Sequence, residues 1–210
     1  MKILIACEFS GIVRDAFIAK GHNAMSCDFL PTERPGPHIQ GDVLEILNDT
    51  WDMMIAFPPC TYLTVTGNKW FKPEYNNRFP NREQKRRDAI DFFLRLESAE
   101  IEHICIENPI GIISTVFRKP DQIIQPFYFG DNERKTTCLW LKNLRLLIHI
   151  KANDLFDDKT HVNPDLYTYK DGRTDGMWHI KTMKLPPHER MKERSKTFAG
   201  IAKAMADQWG

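Results

Sequence analysis

A cysteine follows two prolines in Pro58-Pro59-Cys60, a stretch that cannot belong to the interior of a strand or a helix. The prolines stiffen the backbone and fix the cysteine side chain at low entropic cost. A thiolate held in this way can attack an electron-poor carbon when its charge is stabilised locally. Considered alone, the tripeptide fits a structural cysteine in a rigid turn almost as well. Cys60 is therefore a candidate nucleophile, with the structural alternative still open.

A second polar cluster, Glu107-Asn108-Pro109, comes directly after an apolar run. A carboxylate beside apolar residues is costly unless it is paired or used in chemistry. Glu107 could act as an acid or base or bind an exocyclic amine, and Asn108 could bond across to the Pro58-Pro59-Cys60 loop. A capped turn before proline is the alternative interpretation.

Three further positions have residue types that suit nucleotide binding. Glu8-Phe9-Ser10-Gly11 forms a turn with one glycine, which predicts a positive φ there and lacks the full Gly-x-Gly-x-x-Gly fingerprint. Asp28 could accept hydrogen bonds from ribose hydroxyls, or it could be a solvated loop carboxylate. Asp42 could accept a bond from an adenine amino group, or it could cap the short helix that follows.

The apolar periodicity indicates which elements position these clusters. It predicts strands at residues 2–7, 23–27, 52–57, 103–106 and 137–141, and helices at 11–20, 44–47, 81–98 and 198–209. Asn81 and Gln84 match a capping box at the start of the third helix. Strands that alternate with helices indicate the α/β class with a doubly wound, mostly parallel sheet. Ligands bind at the carboxyl ends of such strands, so we expect the clusters to meet at one edge.

Composition limits the classes of function. The 210 residues are 42% hydrophobic, which suffices for one sizeable core. The net charge of +1 provides no global basic field, so nucleic-acid contact requires a local patch. No run has the roughly 18 apolar residues of a membrane span, and no signal peptide is evident, so we expect a cytoplasmic protein with no membrane partner. The five cysteines lack a Cys-x-x-Cys pair and the histidines lack paired spacing, so we predict no disulfide framework and no metal.

Taken in order, these motifs resemble the DNA cytosine-5 methyltransferase family, most closely its compact phage and prophage members. The matching segments are Phe9-Ser10-Gly11, Asp28, Gly41-Asp42-Val43, Phe57-Pro58-Pro59-Cys60, Glu107-Asn108, Cys138–Lys142 and Arg194–Ala202. The resemblance implies a Rossmann-like, S-adenosylmethionine-dependent methyltransferase fold. It also implies S-adenosylmethionine as cofactor and cytosine in DNA as substrate.

The resemblance further implies roles for individual residues. Cys60 would add to carbon 6 of cytosine, Glu107, with Asn108 in the same motif, would hold and protonate nitrogen 3, and carbon 5 would take the methyl group. A base in duplex DNA would have to be flipped out of the stack to reach Cys60. The remaining roles belong to the cofactor: Phe9 on the adenine, the Ser10 and Gly11 amides near the methionine part, Asp28 on the ribose, Asp42 on the adenine amine, and Pro58 and Thr197 in the same pocket.

The sequence departs from the family in three places. Pro109 replaces the valine that usually follows Glu-Asn in the family. The Gln-x-Arg-x-Arg segment, whose last arginine supports the cytosine carbonyl and the cysteine, is not intact, and its nearest candidates are Arg134 and Lys135. Lysine lacks the bidentate fork of arginine. Only residues 151–190 remain where the family has a target-recognition domain, between a catalytic domain at 1–150 and a returning helix at 191–210. We therefore expect relaxed sequence specificity or a substrate other than long duplex DNA.

A basic run follows the Pro58-Pro59-Cys60 loop and is the one local concentration of positive charge. It comprises Arg78, Arg82, Lys85, Arg86 and Arg87, which could contact phosphates beside a flipped base or could form a solvated helix face. The expected partner is cytosine-containing DNA or a cytosine nucleotide. Two alternatives stay open. The first is carbon-5 modification of a free cytosine nucleotide or transfer of another one-carbon unit. The second is a catalytically idle nucleotide- or DNA-binding module.

Overall fold

The computed structural model of the chain describes residues 1–151 and 159–210, and these form nine strands and six α-helices. The strands are β1 (Lys2–Ala6), β2 (Asn23–Asp28), β3 (His38–Gln40), β4 (Met53–Ala56), β5 (His103–Asn108), β6 (Gln122–Ile124), β7 (Thr137–Lys142), β8 (Leu166–Thr168) and β9 (Thr174–Gly176). The helices are α1 (Ile12–Ile18), α2 (Arg82–Glu97), α3 (Ile113–Val116), α4 (Met177–Met183), α5 (Pro187–Ser195) and α6 (Ala199–Trp209). Short 3-10 helices span Val43–Glu45, Val65–Phe71, Pro73–Tyr75 and Pro126–Phe129.

Seven strands form one sheet in the order β3-β2-β1-β4-β5-β7-β6. The first five are parallel, and β7 lies antiparallel between β5 and β6. Strands β8 and β9 form a separate antiparallel hairpin. The predicted α/β class with a doubly wound, mostly parallel sheet is confirmed, and the arrangement is that of a Rossmann-like methyltransferase fold.

Both faces of the sheet are buried, which explains why its central strands are continuously apolar. In β1, Ile3 and Ile5 pack on the face covered by α1 and α6. Leu4 and Ala6 point to the opposite face, which α2 covers. This alternation follows from the two-residue repeat of a strand. It holds the carboxyl ends of β1, β4 and β5 side by side.

Some local predictions were wrong. The predicted capping box is absent, because Asn81 has a φ of 61° and makes no side-chain cap, while Gln84 donates to Asp88 at 2.7 Å. The short helix predicted at 44–47 is a 3-10 helix over Val43–Glu45. Strand β5 extends beyond the predicted end at 106, because its last two residues pair with β7. Those two residues are the Glu107-Asn108 pair, which therefore belongs to the strand.

The predicted insertion at 151–190 falls partly on residues 152–158, which lie outside the described residues. Its described part carries the β8–β9 hairpin and α4, and α5 crosses the predicted boundary at 190. The hairpin is attached to the segment before β7, where the Asp165 amide donates to the Asn132 carbonyl at 2.7 Å. In the described residues no helix is long and apolar enough to cross a membrane.

Candidate active site

The Pro58-Pro59-Cys60 loop is attached to the end of β5 by one buried hydrogen bond. Ala56 of β4 lies beside Ile106 of β5, so the loop leaves its strand next to the Glu107-Asn108 pair. The Asn108 Nδ2 donates to the Pro58 carbonyl at 2.9 Å. This bond across to the loop was predicted and is confirmed. It holds Cys60 close to the last residues of β5.

Cys60 is exposed, whereas Cys27, Cys105 and Cys138 are buried. Amides of Leu63 and Thr64 donate to its carbonyl at 3.0 and 3.1 Å, which folds the chain into a tight turn after the sulfur-bearing residue. Although the residue has exposed surface, the protein around its sulfur raises the pKa of the thiol by desolvation. The Glu107 carboxylate raises this pKa further, and the Lys135 ammonium opposes both effects. The state of Glu107 therefore influences how readily Cys60 ionises.

Glu107 is a carboxyl group that retains its proton more readily than usual. Burial raises its pKa, while the charge of Lys135 and the hydroxyl of Thr137 act to lower it. A raised pKa brings a carboxylic acid nearer to neutral pH, where it can both donate and take back a proton. Glu107 and Cys60 are therefore an acid and a thiol whose titrations are linked through a shared lysine.

The structure brings Lys135, and not Arg134, to this pair. Lys135 Nζ donates to the Arg194 carbonyl at 3.1 Å and acts on the charges of both Glu107 and Cys60. The Arg134 side chain instead donates to the Thr174 carbonyl of the β8–β9 hairpin at 2.7 Å. Neighbouring residues of an extended segment point to opposite sides, so only one of the two can reach the cysteine.

A small cavity separates Glu107 from the start of α6. It is lined by Phe57, Glu107, Lys135, Thr137, Thr197, Phe198, Ile201 and Met205. Thr197, predicted as a cofactor residue, thus lies in the same cavity as Glu107 and Lys135. The remaining wall is formed by Thr137 and four apolar side chains, which contribute to the desolvation of Glu107.

A larger cleft opens at the ends of β1 and β2. It is lined by Cys7, Cys27, Asp28, Phe29, Gly41, Asp42, Val43, Pro59 and Phe92. Its empty volume, which includes space open to solvent, is about 350 Å³. Both predicted aspartates line it, and the Pro59 wall connects it to the Cys60 loop.

The two aspartates of this cleft each use one oxygen to hold a turn. Asp28 Oδ1 accepts from the Leu30 amide and Asp42 Oδ1 from the Leu44 amide, both at 2.9 Å. Within the described residues the second oxygen of each carboxylate makes no hydrogen bond. Burial raises the pKa of Asp28, and the Leu30 amide and His38 lower it. Capping and ligand binding, the two interpretations of Asp42, are therefore compatible.

The turn after β1 requires glycine and is built on a buried carboxylate. Gly11 has a φ of 74°, as predicted, and a Cβ there would lie 2.5 Å from Arg14 Nη2. Glu8 Oε1 accepts from Ser10 Oγ at 2.8 Å and from the Val13 amide at 2.9 Å. Glu8 was not among the predicted site residues. Its Oε2 is buried with no hydrogen-bond partner.

Phe9 does not line the larger cleft. Its buried ring lies 5.4 Å from Lys192 Nζ, on the side of α5. The aromatic side chains that do line the cleft are Phe29 and Phe92. Neither was predicted, because Phe92 belongs to a helix distant in sequence and Phe29 lies in an irregular loop.

The predicted basic run has a mixed role. Arg86 Nε donates to the Tyr62 carbonyl at 3.1 Å, and its guanidinium lies 3.3 Å from the Phe71 ring centre. Arg87 bonds only to Gln84, one turn earlier on the same helix. Arg82 and Lys85 lie beside a cleft in the loop that follows Cys60. Part of the run thus holds that loop on α2, while the rest borders open space.

Comparisons with known proteins give a distant structural likeness. No protein-family model matches the chain, and no curated protein matches it. Among solved structures, the chain is similar to a proposed DNA modification methyltransferase encoded within a prophage of E. coli, with a TM-score of 0.41 and 16% identity. The match covers 66% of this chain and 45% of that chain. In the residues described here, no group of three or more His, Cys, Asp or Glu side chains could hold a metal ion.

Proposed function

We propose that this chain is a methyltransferase that places a methyl group from S-adenosylmethionine on carbon 5 of cytosine in DNA. The observation that carries the proposal is the meeting of Cys60, Glu107 and Lys135 at adjacent strand ends. A thiol, a carboxylic acid that keeps its proton and a cation are the groups needed to add a nucleophile to a pyrimidine ring.

The larger cleft is suited to the adenosine part of the cofactor. Two carboxylates, Asp28 and Asp42, are free to accept bonds from ribose hydroxyls and an adenine amine. Phe29 and Phe92, which line the cleft, would contact the adenine in the role that the resemblance gives to Phe9. The Ser10 and Gly11 amides with Pro58 and Thr197 would hold the methionine part. When bound, S-adenosylmethionine supplies an electrophilic methyl group.

The side chains of this site carry out the remaining steps. The Cys60 thiolate forms a bond to carbon 6 of cytosine while Glu107 donates its proton to nitrogen 3, so that carbon 5 becomes nucleophilic. Carbon 5 takes the methyl group and then loses its proton to a base. The bond from sulfur to carbon 6 breaks, the thiolate leaves, and Glu107 recovers the proton from nitrogen 3.

Lys135 supports this addition in place of the arginine found in the family. Its ammonium favours the thiolate of Cys60 and would also face the cytosine carbonyl. Arg134 instead anchors the hairpin. A lysine gives one point charge and no bidentate contact, so we infer that this site holds the base less rigidly than an arginine would.

The substrate is the less constrained half of the proposal. Arg82 and Lys85, which line the cleft in the loop after Cys60, would face the phosphates of a DNA strand. The net charge of +1 and the three-residue strands of the hairpin favour a second candidate. That candidate is carbon-5 modification of a free cytosine nucleotide, with a methyl group or another one-carbon unit.

One assay tests the activity and the substrate together. The protein is incubated with methyl-labelled S-adenosylmethionine and, separately, duplex DNA, single-stranded DNA and cytidine nucleotides, and the products are digested and identified. We expect label in 5-methylcytosine from DNA. Label only on nucleotides would favour the second candidate, and label on the cytosine amino nitrogen would contradict the chemistry. An idle module would transfer no label.

Asp28→Asn is expected to weaken S-adenosylmethionine binding about tenfold, because a charged acceptor for the ribose is lost. Asparagine keeps an oxygen for the Leu30 amide, so the turn should survive. Isothermal titration calorimetry measures the change in Kd, with Asp49→Asn, an exposed carboxylate before β4, as the matched control. An unchanged Kd for Asp28→Asn would remove Asp28 from the proposed pocket.

A further inference from the structure

A second cleft lies directly beyond the Cys60 turn, between the following loop and the first turns of α2. It is lined by Tyr62, Arg78, Phe79, Pro80, Arg82 and Lys85, and its empty volume is about 380 Å³. Tyr62 is two residues from Cys60, so their Cα atoms are at most about 7 Å apart. The wall of the cleft therefore begins two residues after the proposed nucleophile.

The cleft carries three positive charges without counter-ions. Among the described residues, Arg78, Arg82 and Lys85 form no ion pair. The Arg82 guanidinium lies 5.1 Å from the Tyr62 ring centre and 5.7 Å from that of Phe79, and its Nε is buried with no hydrogen-bond partner. An arginine with a free donor among aromatic rings attracts an anion strongly, because water screens its charge less.

The shape of the cleft is maintained by an arginine that does not line it. Arg86 binds the Tyr62 carbonyl and donates to Asn68 Oδ1 at 2.9 Å, so its bonds tie the loop to α2. Trp70 packs edge-on against Phe79 at 5.2 Å and braces the opposite wall. The loop and the Phe79 ring that form the cleft are thus held in place before any ligand arrives.

We propose that this cleft binds the nucleotide next to the target cytosine in an unstacked form. Its phosphate would contact Arg78, Arg82 and Lys85, and its base would lie against Tyr62 and Phe79. Aromatic faces bind any base and cations bind any phosphate, so this contact adds affinity with little sequence preference. The inference rests on the proposed function and gives it a preferred substrate: single-stranded DNA, in which neighbouring bases unstack at low cost.

Lys85→Gln and Arg95→Gln separate a local site from a general charge effect. Each removes one positive charge from an exposed position of α2, but Arg95 lies more than two turns further along the helix, outside the cleft. Binding of a labelled single-stranded oligonucleotide is followed by fluorescence anisotropy over a range of salt concentrations. We expect Lys85→Gln to weaken binding about tenfold and to lower the salt slope by about 0.7, with no change for Arg95→Gln. Equal losses in both variants would overturn the proposal.

Tyr62→Leu tests the stacking half of the site. It should weaken single-stranded DNA binding roughly tenfold with an unchanged salt slope, since no charge is removed. Binding of duplex DNA and of cytidine monophosphate to the wild-type protein is measured in the same way. If the wild type bound either of them as tightly as single-stranded DNA, the proposal would be overturned. Thermal unfolding of each variant shows that the fold is kept. The labelling assay on the wild type judges the proposed function separately, because it detects transfer whichever form of DNA binds best.

Discussion

Replacing Cys60 with alanine is expected to abolish methyl transfer to cytosine, with a loss of roughly four to six orders of magnitude in kcat. Without the sulfur, nothing adds to carbon 6, and carbon 5 of an aromatic cytosine is too weak a nucleophile to take the methyl group. The loss should appear in kcat, because the cofactor cleft is formed by other residues. Calorimetry should therefore give nearly the wild-type Kd for S-adenosylmethionine while the labelling assay gives no product.

A covalent trap tests the same cysteine independently. Once carbon 5 has taken the methyl group, a fluorine on it cannot leave as a proton does, so the bond between Cys60 and carbon 6 persists. With S-adenosylmethionine present, wild-type protein should form a complex with 5-fluorocytosine DNA that survives denaturing electrophoresis, and Cys60→Ala should form none. Cys105→Ala is the matched control, since Cys105 is buried in β5 beyond reach of a base. Product formation by Cys60→Ala at the wild-type rate would refute the nucleophile assignment.

The parts of the fold that could be predicted are those fixed by local patterns. The central strands are continuous apolar runs because both faces of the sheet are covered. The three-residue strands β3 and β6 were missed, because a run so short has no readable periodicity. The length of β5 depends on its pairing with β7, which is a tertiary feature. The Asn81 and Gln84 pattern failed because the backbone of Asn81 is left-handed, which the pattern does not report.

In the candidate site, it was easier to predict which segments meet than to predict which way their side chains point. The bond from Asn108 to the loop follows from two strand ends being neighbours in a parallel sheet. Whether Lys135 or Arg134 faces the cysteine depends on the register of the segment before β7, and a single sequence does not contain that register. The role of Arg86 was hidden for a similar reason. Its partners, Tyr62 and Asn68, belong to an irregular loop whose path no periodicity describes.

Glu107→Gln is expected to lower kcat/KM by roughly two to four orders of magnitude. Glutamine keeps the size and can still bond to the base, but it has no proton to give to nitrogen 3. The negative charge that forms on nitrogen 3 when the thiolate adds to carbon 6 is then not neutralised. The addition is disfavoured, and carbon 5 is not activated. Steady-state rates at several pH values measure the loss. Glu133→Gln is the matched control, because burial also raises the pKa of Glu133, which binds the Trp178 amide away from Cys60.

The pH dependence identifies Glu107 more specifically than the loss of rate does. Burial raises the pKa of both Glu107 and Cys60, and the reactive form needs Glu107 protonated and Cys60 ionised. This form is a constant fraction of the protein between the two pKa values and declines outside them. Wild-type kcat/KM should thus be flat between two limbs. In Glu107→Gln the basic limb disappears, because no carboxyl proton is left to lose: the residual rate should climb about tenfold per pH unit until Cys60 ionises and then stay level. Glu107→Gln also removes a negative charge beside the thiol, so that ionisation should occur at lower pH than in the wild type. An unchanged basic limb in Glu107→Gln would assign the proton to another group.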